Sequence, residues 1–205
     1  MVPHLRESFN RDFTDAKYRM LLRRIDAICG VHIEFRICET PVFLPHELVL
    51  SMERAGKEIL DQLMSNPSYY SASEKAIPAK FRVPHETPHQ LFVAVDFGIT
   101  MDDTGTLVPK LIELQGFPTL FAFQPVQAQL YKEVYRLPHD LTPYMNGLDL
   151  EQYIALLRHA ILADHDPENV ILMELNPDSQ KTRCDFILTE RLCGIRTVNI
   201  RDVVV

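Results

Sequence analysis

Glycine is scarce in this sequence: seven of its 205 residues are glycine, against fourteen prolines. Glycine-rich turns cradle the phosphate groups in many nucleotide-binding proteins, and neither a P-loop nor a dinucleotide fingerprint occurs in this chain. The prolines indicate well-defined loops instead. The common glycine-loop nucleotide sites are therefore excluded as the basis of its function.

The sequence also lacks paired cysteines, a membrane-spanning run and a signal peptide. The four cysteines (Cys29, Cys38, Cys184 and Cys193) form no CxxC pair and have no companion histidine at zinc spacing. We expect free, buried thiols in a reducing cytoplasm. No apolar run approaches the roughly 20 residues that span a bilayer, and the polar segment Met1–Asn10 lacks the apolar core of a signal peptide. A cytoplasmic protein with no membrane partner is expected.

Positive charge is also in short supply. The chain has 21 Lys and Arg against 28 Asp and Glu, a formal net charge of −7. Nucleic acids and anionic membranes are bound by concentrated Lys and Arg, so we expect neither as a partner. The remaining composition, 46% hydrophobic and 24% charged, is that of an ordinary globular protein with one large domain or two small ones.

Apolar residues recur at helical spacing in several stretches of the chain. Alternating apolar residues predict a strand over Val31–Cys38, and the Pro- and Ser-rich stretch Asn66–Pro88 predicts a long ordered loop with a short helix. The helical spacing predicts helices over Phe13–Cys29, Pro45–Met64, Pro118–Tyr135 and Leu148–Leu162.

The C-terminal part has a different pattern of apolar residues. It predicts a strand over Val170–Leu175, a helix over Asp178–Cys193 and a strand over Ile195–Val203. This order predicts a βαβ unit with parallel strands. The predicted fold class is α/β: an α+β part over residues 1–145, followed by a Rossmann-like βαβ half over 146–205. Two parallel strands rarely stand alone. We therefore expect this half to be cut short, unless the N-terminal part supplies the missing strands.

The segment from Leu91 to Gln115 predicts an antiparallel β-hairpin, because two strand-like runs flank the turn-rich centre MDDTGT. A two-residue loop at Thr104–Gly105 places Asp96 directly opposite Glu113. A shift of one residue in the pairing register would place these side chains on the opposite face of the sheet. The hairpin is the candidate functional site of the chain.

Side chains alternate between the two faces of a strand, so Gln115 shares the face of the two carboxylates, whereas Ile112 and Leu114 point to the other face. Two facing carboxylates repel unless a cation lies between them, one is protonated or water separates them. Carboxylate and amide oxygens suit Mg²⁺ alongside waters and phosphates. Spacing alone leaves two interpretations open: a solvated polar face without a ligand, and a Mg²⁺ site.

The string PKLIELQGFPT, followed by FAFQPVQAQLY, resembles a motif of glutathionylspermidine synthetase-like proteins and related ATP-grasp ligases. In that family an acidic residue on one strand precedes a Glu-x-Asn on the next, and a Thr-Pro-Thr-like helix start follows. The resemblance implies that Asp96, Glu113 and Gln115 hold Mg²⁺, with Gln115 in the Asn position, and that Thr119 binds substrate. The family's Arg two residues before its Asp is Ala94 here.

The string ILMELNPDSQKTRCDFILTERLCGIRTVNIRDV resembles the βαβ segment of the same ligases, the pre-ATP-grasp domain. The resemblance implies that Asn176, Ser179 and Gln180 bind substrate in the loop that enters the helix. Free backbone N–H groups at such a place can hold an anionic group. The alternative is that Asn176, Asp178 and Ser179 only cap the helix.

The resemblance implies the N-terminal portion of a carboxylate–amine ligase, which makes an acyl phosphate from ATP and then an amide. Its implied cofactors are Mg²⁺ and ATP, held only by the complete protein. Its implied partners are a downstream ATP-grasp domain and a small-molecule acid or amine. The chain alone is expected to be inactive. Two other functions stay open: a non-catalytic domain that binds a small ligand, and an interaction domain whose open sheet edge pairs with a protein.

Overall fold

The computed structural model describes residues 1–85, 89–116 and 119–204, which form a mixed α/β structure. An antiparallel pair, β1–β2, and a parallel pair, β3–β4, are separate sheets. The strands are β1 (Ala94–Met101), β2 (Leu107–Gln115), β3 (Ile171–Glu174) and β4 (Arg196–Asn199). The described helices are α1 (Pro3–Asp12), α2 (Asp15–Cys29), α3 (His46–Met64), α4 (Pro67–Ala76), α5 (Phe123–Tyr135), α6 (Leu150–Leu162) and α7 (Arg183–Cys193).

The chain divides into two compact units. Unit 1 comprises Met1–Phe43 and Thr119–Val205, and unit 2 comprises Leu44–Pro118. This division differs from the predicted boundary at residue 145, because α7 packs against α2 and α5 and joins them in one core. The hairpin belongs to unit 2 and the βαβ segment to unit 1.

Helix α2 shows why the predicted helices form. The side chain of its N-cap, Thr14, accepts the N–H of Lys17 at 3.2 Å and satisfies one free donor of the first turn. Leu21 and Ile25, one turn apart, are fully buried. The helix ends at Gly30, whose φ of 76° lies in the left-handed region that glycine adopts without strain. The predicted helix and its stop are confirmed.

The other predicted helices are confirmed with shifted starts. Helix α3 begins one residue after Pro45, α6 begins at Leu150, and α5 begins at Phe123. The predicted start of α5 at Pro118 lies outside the described residues. None of the described helices is long and apolar enough to cross a lipid bilayer.

The strand predicted over residues 31–38 is wrong: this stretch is irregular, with bends, and lies in no described strand. The alternation is nevertheless real, since Ile33 and Ile37 are both buried. A strand needs a neighbouring strand to bind its backbone. Here side chains from helices take that role: the Tyr18 hydroxyl donates to the carbonyl of Ile37 at 2.5 Å, and the Tyr131 hydroxyl donates to the next carbonyl.

The C-terminal βαβ unit is confirmed, with β3 and β4 parallel and Leu172 opposite Thr197. Helix α7 begins at Arg183, later than predicted, because Pro177–Ser179 form a short 3₁₀ turn. Strand β4 is shorter than predicted, since a second 3₁₀ turn follows it directly. One core of unit 1 gathers Leu162, Cys193 and Ile195, with Ile161, Val170, Leu172 and Leu192 packed against it.

Unit 2 is built from α3, α4 and the β1–β2 hairpin. The short helix expected within residues 66–88 is α4, whose N-cap Asn66 accepts two backbone N–H groups with its side chain. Helix α3 packs against the hairpin. At their contact, a methyl group added to Gly56 would lie 3.6 Å from Val95 Cγ2, and Phe97 is also within 4.0 Å.

Substitution of Gly56 tests this packing. We expect Gly56→Ala to raise the free energy of unfolding by about 0.5–1 kcal/mol, because the added methyl fits at ordinary contact distance and alanine favours a helix. Gly56→Leu should lower it by about 1–3 kcal/mol through overpacking against Val95. Urea unfolding measures both. A neutral Gly56→Leu would contradict the close approach of α3 and β1.

Candidate functional site

The predicted pairing at the centre of the hairpin is confirmed: Asp96 stands opposite Glu113, and Ala94 stands opposite Gln115. These four residues share one face of the sheet, because paired residues of an antiparallel ladder point the same way. Asp96 and Gln115 are half-buried and Glu113 is exposed. The sequence thus places two carboxylates and one amide together, as expected.

Gln115 holds the two carboxylates together. Its Nε2 donates to Asp96 Oδ2 at 3.1 Å and to Glu113 Oε1 at 2.8 Å. A single amide therefore satisfies one oxygen of each carboxylate and offsets part of the repulsion between them. Sequence spacing placed Gln115 on this face but did not show this bridging role.

The loop of the hairpin differs from the predicted two-residue turn. The N–H of Asp102 donates to the carbonyl of Thr106 at 2.9 Å, so three residues form the loop. Gly105 takes a left-handed φ of 83°, as the third residue of such loops commonly does. The hydrogen bond from the Thr104 hydroxyl and bonds from backbone N–H groups lower the pKa of the Asp102 carboxyl. In the sequence, the string Asp-Thr-Gly at residues 103–105 indicates this loop, because it ends in the glycine that takes the left-handed φ.

A β-bulge absorbs the extra residue. The register shifts just after Asp96, and Ile112 is the residue of β2 left without a counterpart on β1. Ile112 was expected on the face opposite the carboxylates. Instead its Cδ1 lies 3.5 Å from where a Cβ of Gly98 would be, and Gly98 shares the face of Asp96. The predicted orientation of Ile112 is therefore wrong, and the acidic face has an apolar neighbour.

A cation also lies on this face. Lys110 stands opposite Gly98 and so points to the side of the two carboxylates, and its own side chain is exposed. We call Asp96, Glu113, Gln115 and Lys110 the acidic face. Among the described residues, no three His, Cys, Asp or Glu side chains come together as a metal site. Any metal bound by the acidic face would rest on its two carboxylates and the amide.

Two of the predicted substrate residues of the βαβ loop, Ser179 and Gln180, make hydrogen bonds within the loop. The Ser179 N–H donates to the carbonyl of Asn176 at 3.0 Å, and the Gln180 N–H donates to that of Pro177 at 3.2 Å. The Gln180 side chain donates to the carbonyl of Leu175 at 2.9 Å. These two N–H groups are engaged within the 3₁₀ turn and do not point together at an open anion site.

A cleft of about 830 Å³ lies beside this loop, between α7 and β4. Arg183 and Glu190 line it from the helix, Arg196 lines it from the strand, and Asn176 lines its end; Ser179 and Gln180 do not line it. Glu190 Oε1 accepts the N–H of Thr197 at 2.5 Å and so ties α7 to β4. Asn176 is thus a predicted substrate residue that borders this cleft.

Thr119 lies in unit 1, and its hydroxyl donates to Asp185 Oδ2 at 3.2 Å. Asp185 is 6% exposed, and this buried carboxylate was not predicted from the sequence. Its two oxygens also accept the N–H groups of Leu120, Ala122 and Phe123, each at 2.9 Å. Thr119 therefore supports a buried carboxylate.

Asp185 caps the N-terminus of α5 from the neighbouring helix α7. Burial raises the pKa of the Asp185 carboxyl, and the bonds from the N–H groups of α5 and from Thr119 oppose that rise. In the sequence, Asp185 stands between the apolar residues Cys184 and Phe186 of a predicted helix, and both neighbours are buried in the structure. A charged residue inside an apolar stretch is rarely buried without partners.

The chain matches no protein-family model, no curated protein and no solved structure. Any function must therefore be argued from its own residues.

Proposed function

We propose that the acidic face binds Mg²⁺ and that the chain serves as part of an ATP-dependent carboxylate–amine ligase. The observation that carries the proposal is the pairing of Asp96 with Glu113, bridged by the Gln115 amide. The resemblance of the surrounding string to ATP-grasp ligases supports the nature of the ligand. The parallel βαβ segment is also what the pre-ATP-grasp resemblance implies.

The donor set fits a small divalent cation. One oxygen of each carboxylate lies within 3.1 Å of Gln115 Nε2, so both converge on one position. Mg²⁺ takes oxygen ligands at about 2.0–2.1 Å, so side-chain movements of about 1 Å would bring both carboxylates into range. A half-turn of the Gln115 amide would exchange its nitrogen for its oxygen and supply a third oxygen.

Each residue of the acidic face has a role in this proposal. Asp96 and Glu113 supply negative charge for the metal. The Gln115 amide holds the two carboxylates together in the absence of a metal, and after its half-turn it would supply the third oxygen ligand. Mg²⁺, when bound, neutralises the charge on a phosphoryl group during acyl-phosphate formation. Lys110 offers the positive charge for a phosphate oxygen that Ala94, in the family's Arg position, does not offer.

Metal titration tests the site. We expect isothermal titration calorimetry to detect Mg²⁺ binding to the natural polypeptide that carries this sequence, and Asp96→Asn or Glu113→Gln to weaken it at least about tenfold, because each removes one of two charged ligands. Mn²⁺ electron paramagnetic resonance gives an independent count of bound ions. Both variants should stay folded, since each relieves repulsion between facing carboxylates.

Asp103→Asn is the matched control, because it removes the same charge from the loop of the same hairpin, off the acidic face. It should leave Mg²⁺ affinity within about twofold, the size of a remote surface-charge effect. If Asp103→Asn and Glu113→Gln weakened Mg²⁺ binding equally, the binding would come from the overall negative charge of the hairpin and not from a specific site. That result would contradict the proposal. The ligase role is tested separately, by Mg²⁺-dependent phosphate release from ATP in the natural polypeptide that carries this sequence, with and without Glu113→Gln.

A second candidate function rests on the cleft between α7 and β4, whose volume of about 830 Å³ is within the range of small-ligand sites. In this alternative the chain is a non-catalytic binding domain, and its ligand contacts Arg183 and Arg196. Its affinity should not depend on Mg²⁺. Ligand binding that persists in Glu113→Gln but is lost in Arg196→Ala would favour this function over the first.

A further inference from the structure

Strand β4 has an open edge. Among the described residues it pairs with β3 on one side and with no strand on the other. The N–H of Thr197 is turned to the free side, because it donates to Glu190 Oε1 of α7 at 2.5 Å. In a parallel sheet the backbone groups of alternate residues point to the same side, so those of Asn199 face this edge as well. The edge therefore presents a short row of backbone groups to another strand.

The cleft of about 830 Å³ beside α7 follows this edge. All four residues of β4, Arg196–Asn199, line one wall. Phe186, Ile187 and Glu190 line the other wall from one side of α7, since residues three and four apart share a helix face. Four strand residues span about 13 Å. The cleft is therefore an elongated groove, whose shape suits an extended chain.

Glu190 takes the place that a neighbouring strand would have. In a sheet, the N–H of Thr197 would bind a backbone carbonyl of the next strand, and here a carboxylate oxygen accepts it instead. A side chain that covers an edge in this way protects it against indiscriminate pairing. Replacement of this bond by a bond to a backbone carbonyl exchanges one hydrogen bond for another, so its net cost is small. The edge is protected and can still accept a strand.

The charges along the groove are complementary to a dipolar segment. Arg196 begins β4 and Asp202 follows its end, and both line the cleft and are exposed. Neither forms an ion pair within the described residues, whereas Arg183 is paired with Asp178 at 3.1 Å. Val198 lines the cleft between the two ends. An open positive charge and an open negative charge thus lie at opposite ends of the strand, with apolar surface between them.

We propose that the groove between α7 and β4 binds an extended segment of a partner protein as an added β-strand. The segment has apolar residues in its middle, an acidic residue near Arg196 and a basic residue near Asp202. Its backbone extends the sheet, and one of its carbonyls takes the N–H of Thr197 from Glu190. This inference goes beyond both candidate functions, because the partner is a protein strand. The small ligand of the second candidate function is the competing occupant of the cleft.

Binding of a labelled peptide tests the proposal. The probe is fluorescein-labelled Lys-Thr-Val-Thr-Val-Thr-Glu, which can form a strand with opposite charges at its ends. Fluorescence anisotropy should detect its binding to the natural polypeptide that carries this sequence. Arg196→Glu should weaken that binding at least about tenfold, because it turns attraction into repulsion. The same variant should bind Lys-Thr-Val-Thr-Val-Thr-Lys more tightly than the parent does. Arg19→Glu, an equal charge change on the exposed side of α2, should stay within about twofold.

Backbone methylation of the peptide distinguishes an added strand from other modes of binding. Methyl groups on the nitrogens of the two valines block one edge of the extended peptide, and methyl groups on the nitrogens of the three threonines block the other edge. An added strand uses one edge only. One methylated peptide should therefore lose its binding and the other should keep it. Equal loss or equal retention would overturn the proposal.

Glu190→Ala tests the exchange of partners at the strand edge. It should tighten peptide binding, because the N–H of Thr197 is then free for the carbonyl of the peptide. Glu168→Ala is the matched control, since it removes the same charge from an exposed residue that does not line the cleft. It should leave the affinity within about twofold. Weaker binding by Glu190→Ala would contradict the assigned place of the added strand.

The remaining outcomes separate this proposal from the two candidate functions. Glu113→Gln should bind the peptide as the parent does, so that failure of the Mg²⁺ site and failure of the groove are distinct results. Succinate is the small-anion probe. If the peptide does not bind but succinate shifts the side-chain NMR signals of Arg183 and Arg196, the cleft takes a small ligand and the strand proposal is overturned. Absence of binding by both probes would overturn it together with the second candidate function.

Discussion

Replacing Asp185 with alanine should lower the free energy of unfolding by about 3–5 kcal/mol. The substitution leaves the N–H groups of Leu120, Ala122 and Phe123 without acceptors near the start of α5, in a place where water has little access. Unsatisfied buried donors cost about 1–3 kcal/mol each, and partial relaxation recovers some of that cost. Thermal unfolding should show the loss as a drop of about 10 °C in Tm.

Two further substitutions isolate the cause. Asp185→Asn keeps the shape but has one acceptor oxygen where the carboxylate has two, so its loss should be smaller than that of alanine. Asp178→Asn removes an acid that is 88% exposed and paired with Arg183, and it should cost less than about 1 kcal/mol. Similar losses for Asp178→Asn and Asp185→Ala would show that α5 does not depend on this cap.

Phe123→Ala should destabilise the chain by a similar amount, about 3–5 kcal/mol, the usual cost of a buried aromatic truncated to alanine. Phe123 is 1% exposed, and its ring meets that of Phe35 edge to face at a centroid distance of 5.6 Å. Truncation leaves a cavity and removes the ring that packs against Phe35 in the segment 31–38. Denaturant unfolding monitored by circular dichroism measures the loss.

Phe123→Leu is the matched control, since it keeps much of the buried volume and should cost about 1 kcal/mol. Hydrogen exchange gives a second readout that depends on the segment itself. In Phe123→Ala, the N–H of Ile33, which donates to Asp26 Oδ1 at 3.0 Å, should exchange faster than in the parent. Unchanged exchange there would mean that Phe35 does not anchor the segment.

Much of the fold followed from periodicity and stop signals. The helix ending at Gly30, the parallel βαβ order and the pairing of Asp96 with Glu113 all follow from patterns a few residues long. Local rules suffice there because capping, strand alternation and crossover connections act over short distances. The strand register between the bulge and the loop was not predicted, because the loop has three residues instead of two. The bulge at Ile112 compensates for the extra residue, so the pairing of Asp96 with Glu113 is unchanged.

The features that escaped prediction depend on distant parts of the chain. The segment 31–38 has alternating apolar residues but no strand beside it, and Tyr18 and Tyr131 bind its carbonyls instead. Asp185 caps a helix more than sixty positions earlier in the sequence, as its bond to Leu120 shows. At the candidate site, the spacing gave the residues, but only the structure showed that Gln115 donates to both carboxylates.

The division of the chain bears on how it folds. Unit 2 is one continuous stretch, whereas the core of unit 1 joins α2 to α5 and α7 across the whole of Leu44–Pro118. Contacts between distant segments carry a larger loop-closure cost and form later than local ones. We therefore expect the hairpin and α3 to become protected first in a refolding experiment, and the contact between α2 and α7 to appear last.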